Sequence, residues 1–176
     1  MQQNQQQDKL QGIRRTMLLL AWVFALGFVT YLFQGMLDRF YNPNQQFESS
    51  LNSDGSKEVR LLRNRQGHYV ATGKINGQTV TFLLDTGATH VAIPDRLARE
   101  LGLSRLQQAR SRTAAGVVPV WRTRLQSVQL GPIQMGDVAA TIVPSMPDQV
   151  EVLLGMSFLQ HLELLQRGNV LTLRQR

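Results

Sequence analysis

One stretch, Phe82-Leu83-Leu84-Asp85-Thr86-Gly87-Ala88-Thr89-His90-Val91-Ala92-Ile93-Pro94, restricts the folds open to this chain more than any other. An apolar strand runs into an acidic residue, then a small hydroxyl residue, a glycine, and soon apolar residues again. Burying a lone carboxylate between two apolar runs costs several kcal/mol unless something compensates. Two such groups that share one proton compensate each other most cheaply. From average residue usage, Asp-Thr-Gly-Ala arises by chance in a chain this long on the order of a few times in a thousand.

At these residues the chain resembles the active-site loop of the aspartic proteases. The resemblance is to the retropepsin-like group, whose signature is apolar-apolar-Asp-Thr/Ser-Gly-Ala. Val152-Leu153-Leu154-Gly155, roughly seventy residues downstream, is similar to the hydrophobic-hydrophobic-Gly element of that fold. The resemblance covers residues 59–176 and implies a mostly β fold: one closed, barrel-like acid protease domain with two short helices. Pepsin-like enzymes carry two Asp-Thr/Ser-Gly loops in one long chain. Here there is one loop, and no internal repeat is visible.

Composition divides the chain into four parts. Residues 1–15 are Gln-rich and read as a cytoplasmic tail. Residues 16–37 read as a transmembrane signal anchor, because Met17 to Phe33 carries no charge and extension to Leu37 gives about the 20 residues that span a bilayer. Trp22 lies inside this span, and Tyr31 and Phe33 lie near its outer end. Lys9, Arg14 and Arg15 precede it, while Asp38 and Arg39 cancel behind it, so the positive-inside rule puts the N-terminus in the cytoplasm. The globular part is then expected in the periplasm, tethered to the inner membrane. A cleaved signal peptide is disfavoured because no Ala-x-Ala-like site lies between Phe33 and Pro43. Arg14-Arg15 is similar to a twin-arginine signal, but its flanking residues match poorly. Residues 38–58, rich in Asn, Gln, Ser and Gly, read as a flexible linker, and 59–176 as the folded domain.

Cysteine is absent, which excludes disulfides and thiolate metal sites. The formal charge of +7 suits a domain lying against anionic headgroups. Nucleic acid is not expected as a partner, since the arginines are scattered singly and no helix carries a basic stripe.

Within the domain, His68 to Ile75 alternates and meets Asn76-Gly77, a strong hairpin signal, with Gln78 to Leu84 as the return strand. Asp85 stands at its end, and Gly87 is expected to permit the tight turn that follows. Asp95 to Leu101 reads as a short helix capped by Asp95 and stopped by Gly102. Leu125–Leu130 and Gly136–Val143 alternate weakly and suggest strands; Ser157–Leu164 has helical spacing, and Val170–Leu173 closes the chain as a strand. The resemblance implies that Arg112 to Trp121 forms a mobile flap over the substrate, with small residues around Gly116 at its tip and Trp121 packed beneath.

Peptide hydrolysis without metal or covalent nucleophile needs a base to activate water and an acid for the carbonyl oxygen. Two carboxylates about 3 Å apart supply both, because like charges so close hold one proton between them. Such a pair titrates jointly. No other acid of the chain sits in an apolar-Asp-Thr-Gly setting. The economical source of the partner is a second Asp85, on the two-fold axis of a homodimer. The catalytic residue is therefore expected to be Asp85, in an active-site loop with Thr86, Gly87 and Ala88. The resemblance further implies that Thr86 hydrogen-bonds across the two-fold and that Gly87 lines the floor. Substrate-binding positions are expected at Leu84, Gly116, Val117, Val118, Leu153 and Gly155, with Ala88 adding to the walls; the ligand is a peptide or protein. No cofactor and no metal are expected, since His68, His90 and His161 lack metal-ligand spacing. His90, five residues past Asp85, either tunes the site or is a plain strand residue.

Retroviral enzymes follow the hydrophobic-Gly element with Arg-Asn/Asp, where this chain has Met156-Ser157. That difference leaves dimer strength open, and a membrane tether raises effective concentration. The layout is most similar to the membrane-anchored retropepsin-like proteases of Gram-negative bacteria. The alternative is a catalytically idle peptide-binding or dimerisation module of the same fold; a third reading is an electrostatically driven membrane-surface or nucleic-acid binder.

Overall fold

A computed structural model describes residues 2–113, 116–147 and 151–176, with the side chains of 14–15, 17–33, 40–112, 116–147 and 151–176. The chain forms two compact units, Met1–Arg39 and Phe40–Arg176. Helix α1 (Gln2–Tyr41) holds the first unit. Its large apolar side chains from Met17 to Phe33 are all exposed within the chain. Among the described residues, no helix is long and apolar enough to cross a membrane. The side chains of Lys9, Asp38 and Arg39, used above for orientation, lie outside the described residues.

The second unit is mostly β. Its strands are β1 (Glu48–Leu51), β2 (Lys57–Leu62), β3 (Val70–Ile75), β4 (Gln78–Leu84), β5 (Val91–Pro94), β6 (Gln107–Thr113), β7 (Gly116–Leu130), β8 (Ile133–Val143), β9 (Val152–Leu154), β10 (Glu163–Arg167) and β11 (Val170–Gln175). Helix α2 (Asp95–Glu100) follows β5, and α3 (Met156–Leu159) follows β9. One sheet runs β3-β4-β9-β5-β8-β7-β6, and a further pairing of β3 with β7 closes it into a ring, as the barrel-like expectation requires. Strand β6 extends outside the ring as the partner of β7. A smaller sheet runs β1-β2-β11-β10.

Local signals explain the first hairpin. Asn76 and Gly77 have φ of 49° and 83°, the pair of positive values that matches strand twist in a two-residue turn. Asn76 also binds Ser127 on β7 through its own N–H (2.9 Å) and by accepting from the Ser127 N–H (3.1 Å), which ties the hairpin to the ring closure. Alternation in β4 buries Val80 and Phe82, and one contiguous core fills the barrel with Ile75, Leu125, Ile142, Leu154 and Phe158. A second cluster of Ala92, Val120 and Val143, with Val118, Met146 and Leu153 packed on it, lies apart from that core.

Three expectations need correction. The polar segment 38–58 is not a free tether: it contains β1 and the start of β2, and Asn42, Asn44 and Ser56 within it are buried. Asn44 acts as a surrogate for backbone. Its amide donates to the carbonyls of Leu62 (2.9 Å) and Val70 (2.7 Å), and its oxygen accepts from the Leu62 N–H (2.7 Å). Polar side chains that replace missing ladder bonds give a packed segment the composition of a linker. Second, Ser157–Leu164 is helical only to Leu159, because Glu163 onward pairs with β11. Third, Asp95 does not cap α2. Pro94 is the N-cap, and the Asp95 carboxylate instead binds Arg99 and Arg105.

Buried charge in the small sheet is paired. The Arg174 guanidinium (2.9 Å) and that of Arg60 (3.1 Å) hold the Glu58 carboxyl below its ordinary range.

Asn44→Ala removes three hydrogen bonds of a buried side chain and leaves their backbone partners unsatisfied. Denaturant unfolding of the full chain should show a loss of about 2–4 kcal/mol. A midpoint equal to the parent's would restore the free-tether reading.

Candidate active site

Asp85 follows β4, which lies between β3 and the parallel strand β9. The Asp85 N–H donates to the Leu154 carbonyl (3.2 Å), the next step beyond the Leu84–Leu154 pair. Strand pairing therefore fixes where this residue's backbone sits. The chain then turns sharply: the Ala88 N–H donates to the Asp85 carbonyl (3.2 Å), and the Gly87 N–H donates to Asp85 Oδ1 (2.8 Å). This is an aspartate binding its own backbone two residues on, the arrangement that favours Asp in turns. The carboxylate is half-buried rather than enclosed.

Gly87 is favoured for a different reason than expected. Its φ is not positive, so no left-handed conformation demands glycine; instead a Cβ there would come within 3.1 Å of Asp85 Oδ1. Gly155 carries the stronger constraint. A Cβ on it would meet the carbonyl oxygens of His90 at 2.4 Å and Ala88 at 2.6 Å. Both neighbours are backbone and cannot swing aside. The bare backbone at 155 lets β9 run directly against the Asp85 loop, and the contact is stitched. Met156 N–H donates to Ala88 O (2.8 Å) and Ser157 N–H to Thr89 O (2.9 Å). Ser157 adds a side-chain bridge, donating Oγ–H to the Ala139 carbonyl (2.8 Å) and accepting from the Val91 N–H (3.0 Å). Sequence reasoning noted Ser157 only as a departure from the retroviral pattern; its bonds, to partners 18 and 66 residues away, leave no local signal.

A groove of about 660 Å³ opens over Asp85. Of the residues expected there, the structure brings together Asp85, Gly87, Ala88, Val118 and Leu153. Leu84, Thr86, Gly116, Val117 and Gly155 are not among its walls. Leu84 packs on the main core and Gly155 lies buried beneath the loop. Val117 is one residue out of step with Val118 on β7, so strand alternation turns it outward, 60% exposed. The hairpin β6–β7 supplies Ser111, Arg112 and Val118 to one side, and Ala114 and Ala115 of the expected flap tip lie outside the described residues. Trp121 is half-buried against the main core, with the Arg105 guanidinium 5.7 Å from its ring centre. Sequence reasoning missed Thr141, Val143 and the turn at Ser145, Met146 and Pro147, which also line the groove. Nothing in their local pattern distinguishes the end of β8 from any other strand end.

Charge sets Asp85 apart. The Glu58, Asp95, Glu100, Asp137 and Glu163 carboxylates pair with arginines, as does Glu48 at 3.9 Å. Asp54 binds Ser56 (2.6 Å), and Glu151 accepts from the Tyr41 hydroxyl, which burial and that carboxylate push up to about 12. Among the described residues of the second unit, Asp85 alone has neither a cation nor a side-chain donor, and it is the one carboxylate in the groove. Asp148 lies outside the described residues. No group of His, Asp or Glu among the described residues is placed to hold a metal ion.

The family model described as "gag-polyprotein putative aspartyl protease" matches residues 71–161. A protein of Sinorhizobium sp., described as an uncharacterized protein in the cobV 5′ region, is 34% identical over 126 residues. The alignment takes in 69% of this chain and 54% of that protein, so the chain spans about half the length of the curated relative it matches. Among solved structures, the retropepsin-like aspartic protease from Rickettsia conorii superposes with a TM-score of 0.56 at 23% identity, over 74% of this chain and 95% of that one. That likeness establishes a retropepsin-like fold.

Gly155→Ala forces two backbones apart beneath the Asp85 loop. Chemical unfolding should register a loss of about 3 kcal/mol or more. Parental stability in this variant would contradict the described packing.

Proposed function

The chain belongs to the gag-polyprotein aspartyl protease family, and from that premise we propose that it is an aspartic endopeptidase whose working site needs two copies of Asp85, one from each subunit of a homodimer. The observation that carries this is the isolation of Asp85: a carboxylate whose backbone is set by strand pairing, lining a groove, with no ion pair and no second acid among the described lining residues. One such group can act as base or acid but not both in one step. A two-fold axis through the loop supplies the other.

In the paired site one Asp85 is ionised and the other holds the shared proton. The ionised carboxylate takes a proton from water as its oxygen attacks the peptide carbonyl carbon. The protonated one gives its proton to the carbonyl oxygen, forming a neutral gem-diol. Collapse of the diol breaks the C–N bond. The carboxyl that took the proton from water gives it to the departing nitrogen, and the now ionised carboxylate takes a proton from a diol hydroxyl. This leaves a carboxylic acid and an amine and restores the shared proton. Thr86, exposed beside Asp85, is free to hydrogen-bond across the axis, and the β6–β7 hairpin lines one side of the groove.

The second part of the proposal is an inner-membrane anchor, with the N-terminus cytoplasmic and the protease periplasmic, as in the Gram-negative bacterial enzymes of this type. The exposed apolar side chains of α1 from Met17 to Phe33 support it, since such a surface is stable only when covered. Arg14 and Arg15 stand exposed before that run on the expected inner side.

Full-length chain in detergent, incubated with a diverse peptide mixture from about pH 4 to 8, should cleave, and Asp85→Asn should lower the rate by about 10³-fold or more. Cleavage retained in the variant would sink the mechanism. Binding of peptides without turnover by the parent would instead identify an idle module of the same fold.

A further inference from the structure

The groove is largely aliphatic, yet two of its walls carry groups that suit an anion. Among the described residues its ionisable side chains are Asp85, His90 and Arg112. His90 comes from the Asp85 loop and Arg112 from strand β6 of the β6–β7 hairpin, so they reach the groove from different elements.

Their position, without partners, is the informative part. Of the described arginines of the second unit, Arg60, Arg96, Arg99, Arg105, Arg124, Arg174 and Arg176 bind carboxylates. Arg63, Arg65, Arg110, Arg112, Arg122 and Arg167 form no ion pair, and Arg112 alone of these six stands in the groove over Asp85. Arg112 forms no ion pair and the His90 ring no hydrogen bond among the described residues, although both stand in the one groove where a peptide is proposed to lie. The polar groups beside them, Thr89, Ser111, Thr141 and Ser145, are hydroxyls that donate as readily as they accept. Asp85 is committed to the shared proton. A ligand that satisfies this set must therefore bring its own acceptor. A carboxylate suits it best: guanidinium binds it through two parallel donors, and an imidazole N–H donates to it in either protonation state.

Resting on the protease reading above, we infer that His90 and Arg112 form a specificity subsite for an acidic substrate side chain, Asp or Glu, close to the scissile bond. The flanking aliphatic walls at Val118, Val143 and Leu153 take the stem of that side chain and its apolar neighbours. The subsite also offsets the repulsion that an acidic peptide meets from the singly charged Asp85 pair.

The test uses peptides identical except for Glu, Gln or Lys at positions flanking the cleaved bond, offered to the full-length chain in detergent. The parent should prefer Glu over Gln by about tenfold in kcat/KM. His90→Gln and Arg112→Gln should each bring that ratio close to one, and Arg112→Glu should turn the preference towards Lys. If these residues only steadied the Asp85 pair, the substitutions would shift the pH profile alike for all three peptides and leave the ratio intact; that result overturns the inference. Binding of the same peptides to Asp85→Asn chain, read by fluorescence anisotropy, separates the two claims. Preferential binding of the Glu peptide without cleavage by the parent keeps the subsite and removes the protease reading. Equal binding of all three removes the subsite, whatever the turnover.

Discussion

The site depends on one close approach, the passage of Gly155 beneath Ala88 and His90. Two backbone segments far apart in sequence meet there at a distance that admits no Cβ. The contact aligns β9 in parallel with β4, turns the Asp85 N–H onto Leu154, and brings Met156 and Ser157 under the loop. Interiors this dense do not deform gradually, so the position of the carboxylate is a property of the whole barrel. Backbone bonds hold the Asp85 main chain, while its side chain keeps only the Gly87 N–H. This division suits a group that must exchange protons: the scaffold is rigid and the reacting atoms remain uncommitted.

The same division runs through the electrostatics. A basic domain whose arginines neutralise most of its described carboxylates leaves Asp85 without an ion pair. A neighbouring guanidinium would favour the ionised form and oppose the retention of a shared proton. On the proposed reading, a groove that leaves Asp85 without an ion pair while carrying His90 and Arg112 among its walls would serve both catalysis and selection. On the same reading each subunit contributes half of the acid–base pair. A short membrane anchor would favour meeting of the halves by confining both copies to one surface.

Much of this was legible in the chain because the decisive signals are local. Asn76-Gly77 specifies its hairpin, the apolar run of β4 ends at Asp85, and Leu153-Leu154-Gly155 marks the crossing strand. The misreadings share another origin, in pairings that local pattern does not encode. Asn44 looks like linker because its polarity is spent on the backbone of Leu62 and Val70. Residues 163–167 look like the end of a helix until β11 returns to pair with them. Val117 and Val118 are alike in sequence, and only the register of β7 against β6 decides which one faces the groove. The far walls, Thr141, Val143 and Met146, are brought in by the parallel pairing of β5 with β8.

The central claim, that one active site contains Asp85 from two chains, is tested most directly by mixing subunits. Parent chain at fixed concentration is co-dispersed with increasing excess of Asp85→Asn chain, and peptide cleavage is followed after exchange. Mixed dimers hold one aspartate, so activity should fall towards zero as the variant captures the parent chains. Activity that stays constant per parent chain at large excess would contradict the shared site and leave each subunit working alone.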